Sequence, residues 1–140
     1  AAVGGRVVAL GPGGGDIRSV GLDNRGGARD LGAALAAQGY RSALAVGAAS
    51  GVRTSDDRIG GFSEGVASGG GAVREVLRGS FTRESGYTLM SAALARGVEP
   101  GTLVFGISDV VAIGVMSAIR DAGLVPGVDI AVAGFDDIPT

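Results

Sequence analysis

Thr102-Leu103-Val104-Phe105-Gly106-Ile107-Ser108-Asp109 decides the fold class, because an apolar run turns into a polar corner within a few residues. The run from Thr102 to Phe105 is too short for a buried helix and has the side chains that strands favour. Ser108 and Asp109 then offer oxygen acceptors to the first N–H groups of a helix. Val111, Val115, Met116 and Ile119 follow at helical spacing until Gly123, where a glycine suits a helix end. Strand, polar corner and helix in this order make half of a parallel crossover unit.

The same unit recurs on either side. Val73-Arg74-Glu75-Val76-Leu77 alternates in part, as a strand near a sheet edge does, and Thr82 is read as the N-cap of a helix carrying Tyr87, Met90, Ala93 and Leu94 as far as Gly97. Ala43 to Val46 is a strand, followed by a polar segment from Gly47 to Asp57 and a helix with Ile59, Phe62 and Val66 that dissolves at Ser68-Gly69-Gly70-Gly71. Earlier, Val7 to Leu10 reads as a strand ending in Gly11-Pro12-Gly13-Gly14-Gly15, and Asp23-Asn24 precede a helix with Ala28, Leu31 and Leu35 that closes at Gly39. A last strand, Ile130 to Ala133, runs into Gly134-Phe135-Asp136-Asp137. This alternation predicts an α/β fold, a parallel open sheet with helices on both faces. Right-handed crossovers place all strand-to-helix loops at one end of such a sheet. Three of those loops, 47–57, 106–109 and 134–137, are polar, and ligands of open α/β sheets bind at that end.

Composition narrows the function classes. At 140 residues there is room for one ordinary core and not for two complete domains. Its 12 basic and 14 acidic residues nearly cancel, and no short window gathers four or more cations, so these residues carry no electrostatic footprint for nucleic acid. Cysteine and histidine are absent, which removes disulfides, thiolate chemistry, the usual general base and the commonest metal ligand. A Ser-His-Asp triad is therefore impossible within the chain, which is read as a non-enzyme without a cofactor. The most apolar run, Val110 to Ile119, is broken by Gly114 and Ser117 and falls short of the roughly 18 residues of a membrane span. No membrane partner and a cytoplasmic location are expected. There is no basic-then-apolar leader, although a start without methionine leaves upstream sequence open.

Several side chains on the polar loops are candidates for ligand contact. Arg58 stands at the start of a helix whose face is otherwise apolar. A guanidinium there could donate paired hydrogen bonds to vicinal hydroxyls or a carboxylate; the plainer alternative is an arginine tied to Asp56 or solvated. Arg53 and Thr54 are secondary candidates of the same kind. Asp136 follows strand and glycine directly, so its carboxylate can accept two hydroxyl hydrogen bonds, unless it serves only as a turn or cap residue; Asp137 is read as structural. Ser108 and Asp109 cap the helix after them, with the Ser108 hydroxyl also placed for a ligand. Asp23 and Asn24 stand between the same two roles. The glycine run 11–15 lacks the Gly-Lys-Ser or Gly-Lys-Thr ending of a phosphate loop. Asp56, Asp57 and Glu64 are better explained by solvent and by the positive end of a helix than by a metal ion.

Taken together, these segments resemble the lac/gal repressor family. The likeness runs through Val20-Gly21-Leu22-Asp23-Asn24, Gly39-Tyr40-Arg41, Arg58-Ile59-Gly60-Gly61-Phe62, Phe81-Thr82-Arg83-Glu84-Ser85-Gly86-Tyr87, Phe105-Gly106-Ile107-Ser108-Asp109 and Gly134-Phe135-Asp136-Asp137-Ile138-Pro139. It implies a periplasmic-binding-protein-like fold with a small polar effector, such as a sugar, in the cleft between two lobes. It also implies a homodimer that acts on operator DNA through a headpiece absent from this chain. The chain is then mostly the C-terminal lobe: residues 1–22 end the N-terminal lobe and cross over, 23–135 form the effector-binding lobe, and 136–140 begin the return hinge. Arg58 matches the arginine that holds the effector, so its removal is expected to abolish the response and spare the fold. Asp136 matches the first aspartate of the closing motif, also an effector ligand. Ser108 stands where many sugar-responsive members have asparagine, which argues against an ordinary hexose, and Asp109 looks more like a cap. The alternative is an extracellular sugar- or solute-binding protein of a transport system. Either way, Arg58 and Asp136 must reach the same rim of one sheet.

Overall fold

The computed structural model describes residues 23–135 in full, together with the backbones of two short strands, β1 (Ala2–Val3) and β2 (Val7–Leu10). Strands β3 (Ser42–Ala48), β4 (Ala72–Gly79), β5 (Leu103–Gly106) and β6 (Ala131–Phe135) alternate with helices α1 (Asn24–Ala37), α2 (Arg53–Ser68), α3 (Arg83–Arg96) and α4 (Asp109–Asp121). They form one sheet in the order β1-β2-β6-β5-β3-β4. Every pairing from β2 across to β4 is parallel, and only β1 runs antiparallel, against β2. The expected open parallel sheet is therefore present.

Two neighbouring residues of β5 show where the helices lie. The Phe105 ring stacks on Phe62 of α2 with centroids 4.3 Å apart, whereas the space a Cβ would need at Gly106 is taken by Ala112 of α4. Successive strand residues point to opposite faces, so α2 covers one face and α4 the other. α1 packs along α2, and α3 along α4. The strand order requires the same division: β3 crosses through α2 to β4 on one side, while the chain then returns through α3 to β5 and through α4 to β6 on the other. Right-handed crossovers in opposite directions put their helices on opposite faces. Val46, Val104, Phe105 and Val132 are completely buried, as strands covered on both sides must be.

The helices of each pair approach closely because glycine lies at the contact. A Cβ at Gly65 of α2 would come within 2.0 Å of the Arg29 carbonyl oxygen, and one at Gly114 of α4 within 2.0 Å of that of Arg83. Helix ends follow the side-chain chemistry. Thr82 caps α3 by accepting the Ser85 N–H at 3.0 Å, and Asp23 caps α1 by accepting the Gly26 N–H at 2.8 Å.

Three details depart from expectation. α2 begins at Arg53, not near Arg58, because its buried stripe continues from Ile59 back to Ser55, a serine with no exposure. The Ser55 hydroxyl accepts the Ala48 N–H at 2.9 Å, fastening the first turn to the end of β3. Strand β4 is the sheet edge, but its register against β3 slips at Arg74, with Ala43 opposite Val73 and Leu44 opposite Glu75; such a bulge interrupts alternation. Tyr87 leaves the buried face of α3, stays 36% exposed and donates its hydroxyl to Asp121 at 2.6 Å, since a phenol needs a polar partner that the core lacks.

Candidate functional site

The direction of chain travel reverses between β3 and β5, neighbours in the sheet that lead to helices on opposite faces. At such a switch point the two outgoing loops separate and leave a crevice at the carboxyl ends of the strands. Arg58 lies there. It is one turn and a half into α2 and only 2% exposed. Its Nε donates to Asn24 Oδ1 at 2.9 Å and its Nη1 donates to the Ile107 carbonyl at 2.8 Å. The guanidinium carbon sits 4.5 Å from the centroid of the Phe135 ring and 6.0 Å from that of Phe81. One side chain thus joins the start of α1, the β5–α4 loop and the end of β6. Fixed acceptors, together with an aromatic face that attracts cations, lower the cost of burying its charge.

The plainer explanation for Arg58, an ion pair with Asp56, is not what forms. Asp56 instead accepts from Arg78 at 3.2 Å and from the Gly51 N–H at 2.9 Å. Among the described residues, two oxygens and an aromatic face hold the planar cation, a setting that keeps a guanidinium oriented.

The other candidates lie at the same rim with different roles. Ser108, 3% exposed, caps α4 by accepting the Val111 N–H at 3.3 Å. Asp109 is the first helical residue of α4 and not its cap. Its carboxylate occupies the space that a Cβ at Gly134 would need, 2.7 Å from Oδ1. Thr54 and Arg53 open α2, half-buried and exposed respectively. Asp136 lies outside the described residues, as does Asp137. Phe135, the residue before Asp136, brings the end of β6 to the Arg58 guanidinium.

Asn24, open in the sequence between a cap and a pocket residue, leaves capping to Asp23 and accepts from Arg58 instead. Phe81 was missed as a site residue altogether. It is 36% exposed beside Arg58, and its position between a strand end and the Thr82 cap was the available signal. Glu64 pairs with Arg25 and so does not join Asp56 and Asp57. Among the described residues, no group of three or more acidic side chains is gathered closely enough to hold a metal ion. A buried, oriented cation, a hydroxyl, an exposed aromatic ring and nearby backbone groups can bind a small polar molecule with a partly flat apolar face.

Comparison with known proteins agrees with this architecture. Residues 33–140 match the model of the periplasmic binding protein-like domain. The chain is 33% identical over 127 residues to the HTH-type transcriptional repressor PurR of Erwinia tasmaniensis, an alignment covering 89% of this chain and 37% of that protein. A LacI-family regulatory protein from Chloroflexus aggregans superimposes with a TM-score of 0.74 at 30% identity, over 84% of this chain and 43% of the other. A myo-inositol binding protein of Caulobacter gives 0.73 at 25% identity, over 84% and 41%. The chain therefore spans less than half the length of each of these proteins. The repressor relative and the LacI-family structure agree with the likeness carried by its motifs.

Proposed function

Because this chain belongs to the periplasmic binding protein-like domain family, we propose that it is the effector-sensing lobe of a transcriptional regulator. It binds a small polar metabolite at the carboxyl rim of its sheet and performs no turnover of its own. The observation that carries this function is the buried Arg58 guanidinium at the crevice between β3 and β5. Arg58 supplies directed donors, Ser108 a hydroxyl, Phe81 an apolar ring and Thr54 a second hydroxyl. Arg53 and Asp109 add polar groups at the rim, and Asp136 is a further effector ligand on the strength of its motif alone. Residues 23–135 form the effector-binding lobe, and β2 adds to its sheet parallel to β6. The metabolite favours whichever arrangement of lobes it binds better, and the affinity for operator DNA, bound by a headpiece outside these residues, shifts by reciprocal linkage.

Copies of the regulator pair in this account. Tyr87, Val110 and Ile113 expose apolar surface on the outer side of α3 and α4, and a self-complementary patch is what a two-fold dimer uses. The cellular site is the cytoplasm; among the described residues no helix is long and apolar enough to cross a membrane. A solute-binding protein of a transport system shares the fold, but the motifs and the repressor relative favour the regulator.

Thermal unfolding of the chain with D-galactose, D-ribose, myo-inositol, adenine or a hexose phosphate tests the assignment, because a ligand that binds only the folded state raises the midpoint by mass action. At least one compound should do so, and Arg58→Lys should lose the response. If no compound shifts the wild-type midpoint, or if the variant responds equally, Arg58 is not an effector ligand.

A further inference from the structure

Resting on the effector assignment above, we infer that Asn24 is the positioning residue of the site: through its bond to Arg58 Nε it sets which edge of the guanidinium faces the rim. A guanidinium has five N–H donors in one rigid plane, so its orientation is defined once two of them are directed to fixed acceptors and one face is stacked. The Ile107 carbonyl fixes Nη1 at 2.8 Å, and Phe135 lies against the plane at 4.5 Å. The Asn24 side chain engages Nε at 2.9 Å from a different element and so directs a second edge of the plane. It does so from the first residue of α1, while Asp23 satisfies the helix end. Asn24 is thereby released from the local role that asparagine otherwise takes at a helix start.

A small change at residue 24 should thus alter recognition without touching the molecule recognised. Losing one orienting hydrogen bond of this kind corresponds to roughly three- to tenfold in affinity.

The Arg58 Nε–H can be observed directly by nitrogen-15 NMR, assigned through its disappearance in Arg58→Lys. In the wild-type chain it should exchange slowly with water. In Asn24→Ala it should exchange fast, with the backbone amide spectrum otherwise retained; in Asn24→Asp, which keeps an acceptor oxygen, protection should return. A protected and unshifted Nε–H in Asn24→Ala would overturn the proposal, as would a loss of protection in Asn24→Asp with the fold intact. Should Asn24→Ala fail to fold, Asn24→Asp and Asn24→Ser decide the matter in the same way, since serine is too short to reach Nε and should give fast exchange. The midpoint shifts with D-galactose, D-ribose, myo-inositol, adenine and the hexose phosphate form the second arm. Any compound that stabilises the wild type should bind Asn24→Ala more weakly and Asn24→Asp nearly as well; equal binding to all three would also overturn the proposal. If none stabilises the wild type, the effector assignment fails, and the Nε–H exchange still decides whether Asn24 orients Arg58.

Discussion

The Arg58 guanidinium gives one donor to the buried Ile107 carbonyl, another to the half-buried Asn24 amide oxygen and a face to Phe135, so it is a structural tie besides the recognition group proposed for it. Replacing it with alanine orphans the Ile107 carbonyl and the Asn24 amide oxygen and opens space beside Phe135. The expected cost is about 2–4 kcal/mol, read as a lower urea midpoint, which revises the expectation that this substitution spares the fold. An unchanged midpoint would mean that these contacts do not persist in solution. Ser108→Ala should cost about 1 kcal/mol by removing the cap of α4, seen in the same titration. Arg58 was legible in the sequence because a cation on an apolar helix face is conspicuous. The acceptors that hold it were not, since Asn24 and the Ile107 carbonyl are 34 and 49 residues away and a backbone oxygen leaves no mark in a sequence.

At the scale of elements, strands and helices were legible wherever apolar spacing marked them, and the departures come from polar residues used in place of apolar ones. Ser55 extends the stripe of α2 as a buried hydroxyl, which spacing of apolar residues does not register. The close helix pairs depend on missing side chains, and Gly114→Ala should push α3 from α4 at a cost of about 1–3 kcal/mol. Thermal unfolding would record this, and a neutral result would show that the Arg83 carbonyl yields easily. The Tyr87–Asp121 bond makes a pH prediction. The hydrogen bond to Asp121, and then its negative charge, raise the phenol above the ordinary tyrosine value of 10.0. The folded state therefore holds this proton more tightly than the unfolded state. The contribution is fully present below the unfolded value and is lost as pH climbs through the folded one. Absorbance titration, with Tyr87→Phe subtracted to isolate the phenol, should give a raised midpoint that falls towards the ordinary value in Asp121→Asn; the same midpoint in both would contradict the bond.

For the whole molecule, alternation of strand and helix predicted the layers, and the reversal between β3 and β5 marks the crevice proposed for the ligand. The sequence read 1–22 as part of another lobe; β2 lies parallel to β6 at the far side of the sheet and is placed with the effector-binding lobe in the proposal. Pairing of copies through α3 and α4 predicts that Ile113→Glu shifts the chain towards monomer in sedimentation, while an unchanged distribution would place the contact elsewhere. The central claim concerns location, and an amide NMR footprint of a stabilising sugar or nucleobase tests it most directly. Perturbed amides should cluster at Thr54, Phe81, Ile107, Ser108 and Phe135. A cluster around Ser42, Arg74 and Thr102, which line a cavity of about 480 Å³ elsewhere on the chain, would contradict it.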